Sequence, residues 1–403
     1  MSDHKTLAPP LDIAALRAET PAVEHIIHLN NAGASLQPEA VTDTVIEYLR
    51  LEAERGGYEA AELRSTQIEA TYSSVAQLIG ARPDEIALTG NATLGWDMAF
   101  YGMHFSPGDR VITCSSEYGS NAIAYLHRAK RHGIEIVVIP NDVDGTLDLD
   151  MLEKELAVPR TKLVSMNHVP TQSGVVNPAA KVGALARTAG VLFLLDACQS
   201  VGQLDLDVSD LQCDILTGTG RKYIRGPRGT GFLYVNSSAM DRVEPAFLDN
   251  RSATWTAPDS FEMRPDARRF ETWEKSYGLV VGLGAAVDYA LNLGTLRIEE
   301  RVRELGSYLR EGLRNSAGVV VTDSGRDLCG IVTFTVEGLG AAEIKPLLSQ
   351  SGINGSVSRV TSSQWDLHAR GLAEVFRASV HYFNTIDELD RTIEVIQRIA
   401  SDA

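Results

Sequence analysis

Lys222, in the run Thr217-Gly218-Thr219-Gly220-Arg221-Lys222-Tyr223, and Asp196, closing the apolar run Val191-Leu192-Phe193-Leu194-Leu195-Asp196, have the most chemistry to offer. A lysine amine at the end of a short strand condenses with an aldehyde once its surroundings lower its pKa enough to leave the neutral form. A strand-end carboxylate can lie against a pyridine nitrogen, keep it protonated and so turn the ring into an electron sink. Either residue alone reads more simply, as an exposed basic turn or as an ordinary strand-end carboxylate. Together they suit an aldehyde-bearing pyridine.

Such a ring is anchored best through a phosphate, which needs amide donors and hydroxyls at a helix start. Asn91-Ala92-Thr93-Leu94-Gly95-Trp96 provides these directly after an expected strand, where the first helical amides lack internal partners and the helix dipole favours an anion. As an isolated motif it is an ordinary helix cap. Thr219 and Arg221, flanking Lys222, complete a cradle, Arg221 with bidentate charge-assisted bonds. The implied cofactor is pyridoxal 5'-phosphate. Tyr118, after the apolar run 111–114, can stack on the ring, although aromatics near strand ends are as often packing residues. Gln199 can donate to the phenolic oxygen or cap the helix after Asp196.

Other features carry less. His168, in Asn167-His168-Val169-Pro170-Thr171, reads as a substrate contact or as a satisfied core histidine. His25 and His28 lack acidic or cysteine partners at ligand spacing, so no metal site is expected. Gly218-Thr219-Gly220 lacks the third glycine of a dinucleotide loop. Arg377, in Phe376-Arg377-Ala378-Ser379-Val380, places a guanidinium in an apolar strand. It needs an anion there, either a substrate carboxylate or an internal Asp or Glu.

Stepping out to the elements that must hold these residues, runs at 85–89, 110–114, 135–139, 162–166, 191–195, 214–217 and 231–235 are short, apolar and separated by amphipathic stretches. That pattern predicts an α/β fold with a mainly parallel seven-stranded sheet covered on both faces, and ligands bind outside the carboxyl ends of such strands. The candidate residues fall there. We expect an N-terminal arm over 1–51 that packs on a small domain, a large cofactor-binding domain over 52–293 and a smaller α+β domain over 294–403. Residues 250–266 mix Pro, Thr, Asp and Arg without periodicity and read as a long loop. Helices are expected at 273–293, up to 314, at 341–350 and from 386, with strands near 319–322, 330–336 and 376–380.

The chain has 403 residues, too many for one core, and 44% of them are apolar. A net charge of −16 argues against a nucleic-acid partner, since binding a phosphate backbone needs clustered cations. Cys114, Cys198, Cys213 and Cys329 are scattered with no C-x-x-C spacing, which suits reduced thiols and a cytoplasmic protein. No apolar run is long enough to span a membrane and no signal peptide is evident.

Asn91-Ala92-Thr93, Asp196-Ala197-Cys198-Gln199, Thr219-Gly220-Arg221-Lys222, Gly226-Pro227-Arg228-Gly229-Thr230-Gly231 and Phe376-Arg377-Ala378-Ser379-Val380-His381-Tyr382-Phe383-Asn384-Thr385 occur in one order and span most of the chain. In this combination the chain resembles the class V aminotransferase and cysteine desulfurase group of fold type I pyridoxal phosphate enzymes. The resemblance implies that Lys222 binds the cofactor aldehyde, Asp196 the ring nitrogen and Gln199 the phenolic oxygen. It places Tyr118 on the ring, where many relatives have histidine, and Ala92, Thr93, Thr219 and Arg221 around the phosphate, with Thr171 also in the cofactor set. Arg377 would hold a substrate carboxylate. It also implies a homodimer with sites at the interface, Thr272 in Arg269-Phe270-Glu271-Thr272 reaching the neighbouring subunit's phosphate.

Residues 352–371, where desulfurases carry a mobile nucleophilic cysteine, contain none, so a persulfide-forming desulfurase is not expected. The run Arg221-Lys222-Tyr223-Ile224-Arg225-Gly226-Pro227-Arg228-Gly229 resembles enzymes that process cysteine S-conjugates, including sulfoxide lyases of ergothioneine synthesis and enzymes of lincosamide pathways. The expected reaction on an amino-acid substrate is β-elimination with C–S cleavage. Transamination, or a decarboxylation-linked oxidative deamination, shares its early steps. A non-catalytic binding protein is disfavoured by the presence of both Lys222 and Asp196. Recognition of the sulfur substituent is expected from 250–266 and 354–365, the two stretches without periodicity.

Overall fold

Seven short strands build the main sheet in the computed structural model, which describes residues 10–403. They are β1 (Ile86–Thr89), β2 (Arg110–Cys114), β3 (Glu135–Ile139), β4 (Thr161–Asn167), β5 (Leu192–Asp196), β6 (Ile215–Thr219) and β7 (Gly231–Val235). Across the sheet the order is β1-β7-β6-β5-β4-β2-β3, and only β7 runs antiparallel to its neighbours. The strands are apolar almost throughout because both faces are covered. Alternate residues serve opposite cores: Phe193 and Leu195 belong to one buried cluster, Leu192 and Leu194 to the other. The helices Ala92–Phe100, Gly119–His132, Leu149–Leu156 and Ala179–Ala189 follow β1 to β4 in turn. Two of them stop at glycines in the left-handed region, Gly133 (φ 68°) and Gly190 (φ 69°), which no side chain would adopt cheaply.

The C-terminal part is a four-stranded antiparallel sheet in the order Val319–Val321, Ile331–Val336, Glu374–Ser379, Ser356–Arg359. It is covered by the helices Thr295–Arg314, Ala341–Gln350 and Ile386–Ser401, the last opened by a reciprocal Thr385–Glu388 cap. The N-terminal segment joins it: Ile27–His28 pairs parallel with Ile353–Asn354, and Asn31 Nδ2 donates to Ser379 O at 2.8 Å. Residue 51 lies inside the helix Glu39–Arg55. That helix packs along Tyr277–Leu293, where Gly282 faces Val45 with no room for a β-carbon. The expected arm boundary at residue 51 thus falls inside this helix, which begins after Pro38.

Residues 250–266 are not a plain loop. Ala253–Ala257 and Ser260–Met263 form an antiparallel hairpin with Phe261 opposite Trp255. Both aromatics are exposed, so neither strand shows the apolar-in, polar-out alternation by which strands are recognised. Residues 354–365 likewise contain a strand, Ser356–Arg359, and the helical turn Val360–Ser362. Among the described residues no single helix is long and apolar enough to cross a membrane.

A buried ion pair joins the small domain to the loop after β4. Arg310 Nε donates to Asp323 Oδ2 at 2.9 Å, while Asp323 Oδ1 accepts from Gly174 N at 3.0 Å and Thr333 Oγ1 at 2.6 Å. Asp323→Asn would leave the Arg310 guanidinium buried without its counter-charge. The expected cost is about 3 kcal/mol, read as a lower urea midpoint of the apoprotein.

Candidate active site

Sheet register sets the floor of the site. At the carboxyl ends of β4, β5 and β6, Asn167 pairs with Asp196 and Asp196 with Thr217. Above them opens a cavity of about 230 Å³. Its wall brings together Ala92, Thr93, Tyr118, Thr171, Asp196, Gln199, Thr219, Arg221 and Lys222. Asn121 and Cys198 line it too, neither of them in the set expected around the cofactor. Asn121 lies one helical turn after Glu117, a spacing that would have put both on one face.

Lys222 follows β6 in a turn closed by Arg225 N donating to Lys222 O at 2.9 Å and Gly226 N to Gly220 O at 2.7 Å. Burial lowers the pKa of its amine and outweighs the attraction of Cys198 and Asp196, while Arg221 and Arg377 push it the same way as burial. The neutral amine needed for condensation is thereby favoured. Asp196 is 7% exposed and held at both oxygens, Oδ1 by Cys198 N and Oδ2 by Asn121 Nδ2, each at 3.0 Å. The Cys198 thiol is held far above its ordinary pKa by burial first and by Asp196 second, so it stays protonated.

At the other end of the cavity, Asn91 caps the helix Ala92–Phe100 by accepting from Leu94 N at 2.8 Å. The amides of the first turn have no carbonyl partner within the helix. Arg221 Nη1 donates to Thr219 Oγ1 at 3.1 Å. Gln199 donates to Ala32 O at 3.1 Å, and its Oε1 is buried with no protein partner.

Arg377, on Glu374–Ser379, reaches the cavity edge through Thr171, donating to its Oγ1 at 2.5 Å and its O at 3.1 Å. It also donates to Asn30 Oδ1 at 3.3 Å. Burial lowers its pKa to about 10. Among the described residues no Asp or Glu pairs with it, so the internal ion pair weighed from the sequence is absent.

Thr272 is apart from this set. It lines a separate cavity of about 150 Å³ with Thr89, Gly229 and Lys275. His168 is buried and donates its backbone N–H to Asp196 O at 2.8 Å, but its ring does not line the cavity, and burial lowers its pKa to about 4. It reads as a core residue.

The donor set fits pyridoxal phosphate. A depressed amine suits the aldehyde, and a carboxylate fixed at both oxygens suits the ring nitrogen. A helix start beside two hydroxyls and a guanidinium suits the phosphate. The second N–H of Gln199 Nε2 suits the phenolic oxygen, and the uncompensated charge of Arg377 suits a carboxylate.

The aminotransferase class-V family model matches residues 27–392. A probable cysteine desulfurase of Pyrococcus abyssi is 28% identical over 395 residues, 95% of this chain and 96% of the relative. A probable cysteine desulfurase of Synechocystis sp. is 31% identical over 386 residues, 92% of this chain and 90% of the relative. Among solved structures, the apo cysteine desulfurase of Thermococcus onnurineus NA1 superposes with a TM-score of 0.91 at 27% identity, covering 98% of this chain and 100% of that one. With the family match spanning nearly the whole chain and the site's donor set agreeing with its cofactor, this chain belongs to the aminotransferase class-V family and is a pyridoxal phosphate-dependent enzyme.

Proposed function

We propose that the enzyme cleaves the C–S bond of a cysteine S-conjugate by β-elimination, releasing a thiol, pyruvate and ammonia with consumption of one water. The observation that carries this reading is the lack of a reactive thiol at the cavity and in residues 352–371. Residues 352–371 hold no cysteine. The stretch is tied down instead: Ser358 Oγ donates to Thr171 O at 3.1 Å, and Gln172 Nε2 to Asp366 Oδ2 at 3.0 Å. Cys198, the thiol in the cavity wall, is kept protonated beside Asp196 and is a poor nucleophile. With no thiolate placed to attack it, the substrate sulfur departs as a leaving group.

Pyridoxal phosphate supplies an electron sink that acidifies the Cα–H of a bound amino acid. Lys222 is the base in our reading. Its amine, shifted towards the neutral form by burial, takes the Cα proton and holds it at Nζ. Asp196 keeps the ring-nitrogen proton in place, and Arg377 orients the substrate carboxylate from the small domain. Tyr118 would cover the ring and Gln199 would donate to its phenolic oxygen. Ala92, Thr93, Thr219 and Arg221 would hold the phosphate, and Thr171 would support Arg377 at the cavity edge. We further place Thr272 at the phosphate of a second subunit in a homodimer, consistent with its position on a cavity of its own.

Borohydride treatment of the holoenzyme should leave a stable adduct of cofactor mass on Lys222, and Lys222→Ala should show neither adduct nor turnover. Substantial activity in that variant would remove the mechanism. Incubated with S-substituted cysteines and no keto-acid acceptor, the enzyme should yield pyruvate and free thiol in excess over enzyme. A requirement for added keto acid would make it an aminotransferase, and alanine with persulfide from cysteine would make it a desulfurase. Arg377→Met should raise KM by roughly 10- to 100-fold through loss of a charge-assisted carboxylate contact. Its Tm should be unchanged or higher, because the charge it removes is buried without an anion. A large fall in Tm would assign Arg377 a structural role.

A further inference from the structure

One buried carboxylate at the site has no part in the reaction outlined above. Glu117, 2% exposed, lies between the end of β2 and the helix Gly119–His132. Its Oε1 accepts from Tyr118 N at 2.7 Å and Asn121 Nδ2 at 3.1 Å, and its Oε2 from Thr113 Oγ1 and Tyr125 OH, both at 3.0 Å. All four donors are neutral. The same Asn121 amide donates to Asp196 Oδ2 at 3.0 Å, so a single NH₂ group bridges two buried carboxylates. Tyr125 OH is in turn 2.8 Å from Ser165 Oγ on β4.

This shell accommodates either charge state. The hydroxyls of Thr113, Tyr125 and Ser165 can donate towards an ionised Glu117 or turn to accept from a protonated one. The ionisable groups facing it are few. Cys114 on β2 and Tyr125 on the helix are held neutral by burial, and Asp196 on β5 is the nearby charge, itself facing Lys222 and Cys198 across the cavity. Glu117 also pins the backbone of Tyr118, so one side chain touches the supports of both the ring face and the ring nitrogen.

We propose that Glu117 is a positioning residue whose own proton, transmitted through Asn121, sets how firmly Asp196 holds the proton on the cofactor's ring nitrogen. The inference rests on the assignment of Asp196 to that nitrogen. Ionised Glu117 adds negative charge beside Asp196 and strengthens the hold, and protonated Glu117 relaxes it. Burial first and Asp196 second push Glu117 up to about 7, so the change falls near neutral pH.

Two readouts test it. In the apoprotein, a carboxyl whose folded pKa lies above its unfolded one stabilises the fold fully below the unfolded value, and that contribution is lost as pH rises through about 7. Wild-type Tm should therefore fall relative to Glu117→Gln between about pH 5 and about pH 8. In holoenzyme loaded with ¹⁵N-labelled pyridoxal phosphate, the ring-nitrogen shift of the wild type should move through neutral pH. It should stay flat in Glu117→Gln and be restored in Glu117→Asp. The same pH dependence in wild type and a folded Glu117→Gln would overturn the proposal. Should that variant fail to fold, Tyr125→Phe removes one donor from Oε2 and leaves the contacts of Asp196 alone. The inflection should then move to higher pH, and an unmoved inflection overturns the proposal. Loss of the borohydride adduct on Lys222 would be a separate result, against the cofactor site itself.

Discussion

An amine on a cavity wall and a buried carboxylate are held close together without being allowed to collapse into an ordinary ion pair. Everything else in the site follows from that constraint. Asp196 is occupied at both oxygens by Cys198 N and Asn121 Nδ2, and burial disfavours the charge on Lys222 more strongly than Asp196 favours it. The backbone provides this at little conformational cost. Adjacent parallel strands end about 4.8 Å apart, so strand-end residues arrive side by side with their orientation already set. Asn167, Asp196 and Thr217 hold neighbouring places in that ladder.

Lys222 is less simply placed, because it lies in a turn beyond the sheet. Arg225, three residues on and with φ 63°, anchors that turn from below. It is 1% exposed and donates to Leu36 O at 2.7 Å, Thr20 Oγ1 at 2.6 Å and Tyr382 OH at 2.8 Å. Its guanidinium also lies 4.7 Å from the centre of the Phe383 ring. One side chain thus ties the lysine turn to the N-terminal segment and to the small domain. A non-glycine residue in the left-handed region stores strain that its surroundings must compensate, and three separate parts of the chain do so here.

The groups that meet at the site come from different layers. The large sheet delivers Lys222 and Asp196, and the small sheet delivers Arg377, which meets them through Thr171. A guanidinium buried with neutral partners alone is costly, and a substrate carboxylate would offset that cost on arrival. The same junction fixes residues 352–371 by bonds to Thr171 and Gln172, giving the cavity a tethered wall without a thiol.

Strand-end motifs could be read from the chain because a parallel sheet buried on both faces writes itself as apolar runs, and ligand residues follow such runs directly. That is why Lys222, Asp196, Thr93, Tyr118 and Gln199, which line one cavity in the fold, all stand at or just after apolar runs in the sequence. The hairpin Ala253–Ala257/Ser260–Met263 was not legible, since its aromatics face outward and leave no alternation. Nor was the role of Asn121, whose amide, already beside Glu117 in sequence, matters only because β5 brings Asp196 to it from a distant part of the chain. Residue types and local periodicity thus determined which chemistry was available and which elements would carry it. Which groups meet, which cation goes without an anion and which carboxylate shares its proton's environment with another were decided only by tertiary packing, because burial and long-range neighbours, not local sequence, set the charge state of an ionisable group.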